Sequence, residues 1–156
     1  MNIPDYSKQF KKLDNSCGGH CPIFPKNIFC VMAGSTGSGK TNLMIHLLKG
    51  KQLLNYADVY VYSSTLYQPS YEYLKRYYET LENFIGVKVA HFLDADEKIV
   101  DPSTLDKTKN HIMIFDDVML RDQTVIKEYF CRGRHNNVNV FYLCQSLHKI
   151  AKHCIR

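Results

Sequence analysis

Several stretches of the chain are almost unbroken runs of apolar residues, and between them the apolar positions return at helical spacing. Ile28-Phe29-Cys30-Val31-Met32-Ala33 is the first run. Its length and its β-branched and aromatic content predict a buried strand. Leu43, Met44, Leu47 and Leu48 then recur at intervals of three and four, which predicts a helix that Gly50 stops. Val59-Tyr60-Val61-Tyr62 predicts a second strand, ending in Ser63-Ser64-Thr65. Tyr73, Leu74, Tyr77, Tyr78, Leu81 and Phe84 mark a second helix, ended by Gly86, with Glu72/Arg76 and Lys75/Glu79 as i,i+4 pairs along it.

A short strand is expected from Val87 to Leu93, followed by an acidic, turn-rich connection from Asp94 to Asn110. His111-Ile112-Met113-Ile114-Phe115 is a third strong strand and runs into Asp116-Asp117. Asp122 is placed to cap a helix through Cys131, which Gly133 would close. Val138 to Cys144 is a fourth strong strand, ending at Gln145. Strands alternating with helices predict an α/β fold with a mostly parallel central sheet. Residues 1–25 are polar and turn-rich and read as a leader lying over a single domain of residues 26–156.

Composition narrows the class without choosing a function. At 156 residues, 45% hydrophobic and 22% charged, the chain suits one globular domain and excludes an intrinsically disordered one. A net charge of +5 permits a polyanionic partner but does not demand one. Met1 to Phe10 is polar and charged and does not read as a secretory signal, and no apolar run is long enough to span a membrane. An intracellular protein with free thiols is therefore expected from its six cysteines. Cys17-Gly-Gly-His20-Cys21 has the look of half a metal site, but no second ligand pair follows at zinc-finger spacing.

The chemistry lies at the ends of the apolar runs. Gly34-Ser35-Thr36-Gly37-Ser38-Gly39-Lys40-Thr41 fits G-x-x-x-x-G-K-[ST] at every fixed position, between a predicted strand and a predicted helix. Its glycines open backbone angles closed to other residues, so that successive N–H groups can surround phosphate oxygens at a helix N-terminus. Lys40 would face the β- and γ-phosphates of ATP, and the Thr41 hydroxyl would ligate Mg²⁺. Asp116, at the end of another strand, is the expected carboxylate on the Mg²⁺ side, and Asp117 is the candidate to polarise the attacking water. Gln145 is placed to sense the γ-phosphate. In Arg132-Gly133-Arg134, either arginine could be supplied in trans to the nucleotide of a neighbouring subunit.

Taken together, AGSTGSGKT, HIMIFDDV and RGRHNNVNVFYLCQS resemble the DNA-packaging ATPases of poxviruses and other large DNA viruses, in the FtsK/HerA branch of P-loop ATPases. The likeness runs from about Lys26 to the C-terminus. It implies the three-layer P-loop NTPase sandwich and ATP hydrolysis that drives double-stranded DNA into a preformed capsid. It also implies a homo-oligomeric ring, with a capsid or portal protein as a further partner. By motif, Lys40 and Thr41 take phosphate and magnesium, Asp116 and Asp117 form the acidic pair, and Gln145 holds the polar sensor position. Many relatives carry glutamate where this chain has Asp117, whose reach is shorter. Relatives also continue with a further strand after a segment like Ser146 to Arg156, so a shortened sheet is expected.

Other P-loop classes fit less well. A guanine-reading N-K-x-D segment and a D-x-x-G switch are both lacking, which argues against a GTPase. Lys149, Lys152 and Arg156 are too sparse for the basic lid of a P-loop kinase. An ATP-binding module without motor activity is the remaining alternative.

Overall fold

The computed structural model describes residues 19–50, 53–118 and 124–146. Among these, five strands and three α-helices follow in the order β1 (Phe29–Ala33), α1 (Lys40–Lys49), β2 (Asp58–Ser63), α2 (Pro69–Ile85), β3 (Ala90–Asp94), β4 (His111–Asp116), α3 (Thr124–Arg132) and β5 (Val138–Cys144). The strands form one sheet in the order β1-β5-β4-β2-β3, and every pairing is parallel. This is the α/β architecture of a P-loop NTPase.

The three layers follow from the alternation of side chains along each strand. On one face Val59, Val61, Ile112, Ile114, Phe141 and Leu143 pack under Met44, Ile45 and Leu48 of α1 and Tyr71, Leu74 and Tyr78 of α2. On the other, Met113, Phe115, Val140 and Tyr142 pack under Ile126 and Tyr129 of α3 and Leu105 of the connection. With both faces covered, β4 and β5 are buried at every position, which is why they read as continuous apolar runs.

Asn139 is the polar exception inside β5. It is 1% exposed, yet its amide is used at both ends. Its Oδ1 accepts from the Ile28 N–H at 2.9 Å and lies 3.1 Å from His20 Nε2, while its Nδ2 donates to the His111 carbonyl at 3.2 Å. The other His20 nitrogen, Nδ1, accepts from the Asn55 N–H at 2.9 Å. With both ring nitrogens taken, His20 is held against the N-terminal end of the sheet. Cys17, the first residue of the metal-like segment, lies outside the described residues, and Cys21, Cys30, Cys131 and Cys144 are free thiols.

Several boundaries differ from the sequence reading. β3 begins at Ala90, not Val87, because the N–H groups of Val89 and Ala90 bond to Glu82 Oε1 at 2.7 Å each. Lys75 pairs back to Glu72 at 2.9 Å in place of reaching Glu79. Pro102–Thr104 forms a single 3₁₀ turn inside the expected irregular connection. Gly133 does not close α3 but opens a 3₁₀ turn, Gly133–Asn136, where a Cβ would sit 3.3 Å from both the Phe29 ring and the Val138 carbonyl. The expected cap Asp122 and the segment from 147 onward lie outside the described residues. Among the described residues no helix is long and apolar enough to cross a membrane.

Candidate functional site

The parallel sheet brings its C-terminal ends level. Ala33 pairs with Cys144, Leu143 with Asp116, Asp116 with Ser63, and Ser63 with Asp94. Loops leaving β1, β2, β4 and β5 therefore converge on one edge, where open α/β sheets hold ligands. The cleft there has a volume of about 150 Å³ and is lined by Lys40, Thr41, Gln68, Asp116, Asp117 and Gln145, among others.

The glycine loop opens where the β1–β5 ladder ends, with the Gly34 N–H still bonded to the Cys144 carbonyl at 3.1 Å. A Cβ on Gly34 would stand 2.7 Å from Ser38 Oγ and 3.3 Å from Ser38 Cβ, so the two limbs of the loop approach closely there and Ser38 would have to give way to a larger residue. Gly37 and Gly39 hold left-handed φ of 77° and 88°. Gly39 is the N-cap of α1 and supplies no side-chain cap, and the first turn carries no acid. The positive helix end is therefore turned toward the loop without a compensating side chain. Lys40 Nζ donates to the carbonyls of Gly34 and Ser35 at 2.7 and 3.0 Å and to Ser38 Oγ at 3.4 Å. Its ammonium thus sits inside the bend of the loop.

Across the cleft, Thr41 Oγ1 donates to Asp116 Oδ2 at 3.4 Å. Asp116 is 8% exposed, and burial raises its carboxyl pKa above the usual range. The Tyr71 and Thr41 hydrogen bonds and the Lys40 charge oppose that rise, while the charge of Asp117 adds to it. The neighbouring Asp117 is exposed and takes a left-handed backbone at φ 54°. Its carbonyl accepts from Ser64 Oγ at 3.0 Å, and its N–H reaches toward the Leu143 carbonyl at 3.5 Å.

Sequence reasoning missed Tyr71. This α2 residue is 2% exposed and donates its phenol proton to Asp116 Oδ2 at 2.5 Å. Burial, and then the adjacent Asp116 charge, push its own pKa far above the ordinary tyrosine value, so the phenol remains a donor. Gln68, the N-cap of α2, and Thr65 also line the cleft. The positions marked for α2 began at Tyr73 and passed over Tyr71; its spacing of three and seven from the buried Leu74 and Tyr78 was the available signal, and that spacing alone gives no hint of the polar end of the side chain.

The arginines lie elsewhere. Arg132 ends α3 and Arg134 lies in the turn before β5, both exposed, at the N-terminal end of the sheet opposite the glycine loop. Neither joins this chain's own cleft.

A glycine loop between strand and helix, with a lysine in its bend and a hydroxyl facing a strand-end carboxylate, places the chain among P-loop NTPase-like α/β proteins. More narrowly, residues 24–156 match the family described as Poxvirus A32 protein, and the chain belongs to that family. No curated protein matches the chain.

Proposed function

We propose that the protein binds ATP with Mg²⁺, hydrolyses it, and uses the energy to move double-stranded DNA into a capsid, as a motor of the FtsK/HerA type. The observation that carries the reading is the approach of Thr41, in the first turn of α1, to Asp116, at the end of β4, at 3.4 Å across 75 positions of sequence. A hydroxyl and a carboxylate are oxygen donors suited to a small hard cation such as Mg²⁺. The left-handed glycines and the uncapped start of α1 suit phosphate oxygens.

In this reading Gly34 to Lys40 cradle the phosphates, and Lys40 exchanges its loop carbonyls for phosphate oxygens. Thr41 and Asp116 hold Mg²⁺, which when bound neutralises developing charge on the phosphates. Asp117 orients and deprotonates water, and Gln145 faces the γ-phosphate from just beyond the end of β5, the strand between β1 and β4. Arg132 or Arg134 serves the nucleotide of the next subunit in a ring. Membership of the A32 family supports the packaging role, with DNA and a capsid or portal protein as partners.

The test is nucleotide binding and ATPase rate of the purified protein, with and without double-stranded DNA, beside Lys40→Ala. The wild type should bind ATP and turn over faster with DNA, while Lys40→Ala loses both. Hydrolysis retained in Lys40→Ala overturns the site assignment. Binding without turnover in the wild type reduces the protein to an ATP-binding module.

A further inference from the structure

Asp116 is the most buried acid of the cleft, and its Oδ2 is the acceptor for two side chains from different helices. Thr41 approaches from α1 at 3.4 Å and Tyr71 from α2 at 2.5 Å. The Tyr71 contact is the shorter by far and is itself buried. Its helix is anchored by the stripe Tyr71, Leu74 and Tyr78, each no more than 2% exposed, so the phenol is offered from a rigid base. Tyr71 also lies at the start of α2, where the β2–α2 segment borders the site. From that segment Thr65 and Gln68 line the cleft, and Ser64 bonds to the carbonyl of Asp117. Both acids are therefore tied to one stretch of chain outside the glycine loop.

We infer that Tyr71 is a positioning residue for the metal-side carboxylate, and that through it the β2–α2 segment forms a structural wall of the nucleotide site. A lone buried carboxylate can rotate about its own bond and would have to be oriented when a cation arrives. Two donors on one oxygen fix that rotation beforehand. Hydrogen-bonding partners behind a metal ligand are commonly worth about 10- to 100-fold in metal affinity or activity. The inference rests on the proposal that Asp116 serves Mg²⁺, and it assigns the tyrosine no contact with substrate.

Tyr71→Phe keeps the ring in the core and removes only the hydroxyl. The experiment titrates Mg²⁺ into wild type and Tyr71→Phe at saturating ATP, following turnover. ATP binding is measured separately in EDTA. The variant should need roughly tenfold more Mg²⁺ for half-maximal rate. Excess Mg²⁺ should restore most of the rate, and metal-free ATP binding should match wild type. An unchanged Mg²⁺ requirement overturns the inference, and so does loss of metal-free ATP binding, because the hydroxyl would then hold the fold and not the ligand. If wild type itself shows no Mg²⁺-dependent turnover, the parent reading of Asp116 falls and takes this one with it.

Discussion

Asp117 stands one residue beyond a strand whose side chains are all buried, and it turns out of that strand through a left-handed backbone. A non-glycine residue held at φ 54° carries a conformational cost of about 1–3 kcal/mol, which the surrounding bonds to Ser64 and Leu143 must offset. The strain has a use: it exposes this carboxylate while Asp116, its neighbour, stays buried. Two adjacent acids thus receive different environments, and the proposed function gives the buried one to a cation and the exposed one to water. Asparagine is the informative substitution because it tolerates the same left-handed geometry. Asp117→Asn should leave ATP binding and thermal stability unchanged and lower kcat by roughly 10²- to 10⁴-fold. A wild-type kcat in that variant would remove Asp117 from the chemistry.

The same pair marks what could be read from sequence. The glycine loop was legible because all its parts are contiguous. Asp116 was legible because an apolar run ending in acid locates a strand end. Tyr71 was not, because contact between α2 and β4 depends on how a helix lies over a sheet, which spacing along the chain does not give.

At the scale of elements, the sequence located every strand and helix of the described residues but misjudged where several begin and which helix face is covered. Tyr73 and Phe84, both among the positions that mark α2, are 53% and 89% exposed, whereas Tyr71 is buried. The late start of β3 has a specific cause in Glu82. The left-handed Gly86 ends α2, with its N–H on the Glu82 carbonyl at 2.8 Å. The Glu82 carboxylate then reaches forward to the N–H groups of Val89 and Ala90, each at 2.7 Å, and to Lys88 Nζ at 3.2 Å. One side chain thereby fixes the turn from helix to strand.

Burial opposes the Glu82 charge, but the two backbone donors and Lys88 outweigh it and hold its pKa below the ordinary value. A depressed folded-state pKa gives stability that is present above the unfolded pKa and disappears as pH falls through the folded one. Glu82→Ala should therefore cost about 1–3 kcal/mol in urea unfolding at neutral pH, since it strands two N–H donors. The gap to wild type should narrow as the pH is lowered through the acid range. A gap independent of pH would show that the charge of Glu82 contributes nothing.

At the scale of the whole molecule, the decisive fact is that the two ends of the sheet carry different charges of chemistry. The glycine loop, the acids and Gln145 share the C-terminal edge, while Arg132 and Arg134 stand exposed at the N-terminal edge. A seven-residue β5 separates Arg134 from Gln145. An arginine on that far edge can act on ATP only if a neighbouring subunit presents its C-terminal edge to it, which is the arrangement a ring would provide. The rate per subunit should then rise with protein concentration, and Arg132→Ala or Arg134→Ala should bind ATP normally but lose that rise. An arginine supplied in trans contributes about 10³- to 10⁵-fold in rate, so the loss is large enough to see above background. Mixing gives the sharper test. A Lys40→Ala subunit has no working site of its own but retains both arginines, and the arginine variant has the reverse defect. Mixed together, the two inactive proteins should regain activity in proportion to the junctions that pair an intact arginine with an intact loop. If the mixture stays inactive while each variant still assembles with wild type, the arginines are not shared between subunits, and hydrolysis must be completed within one chain.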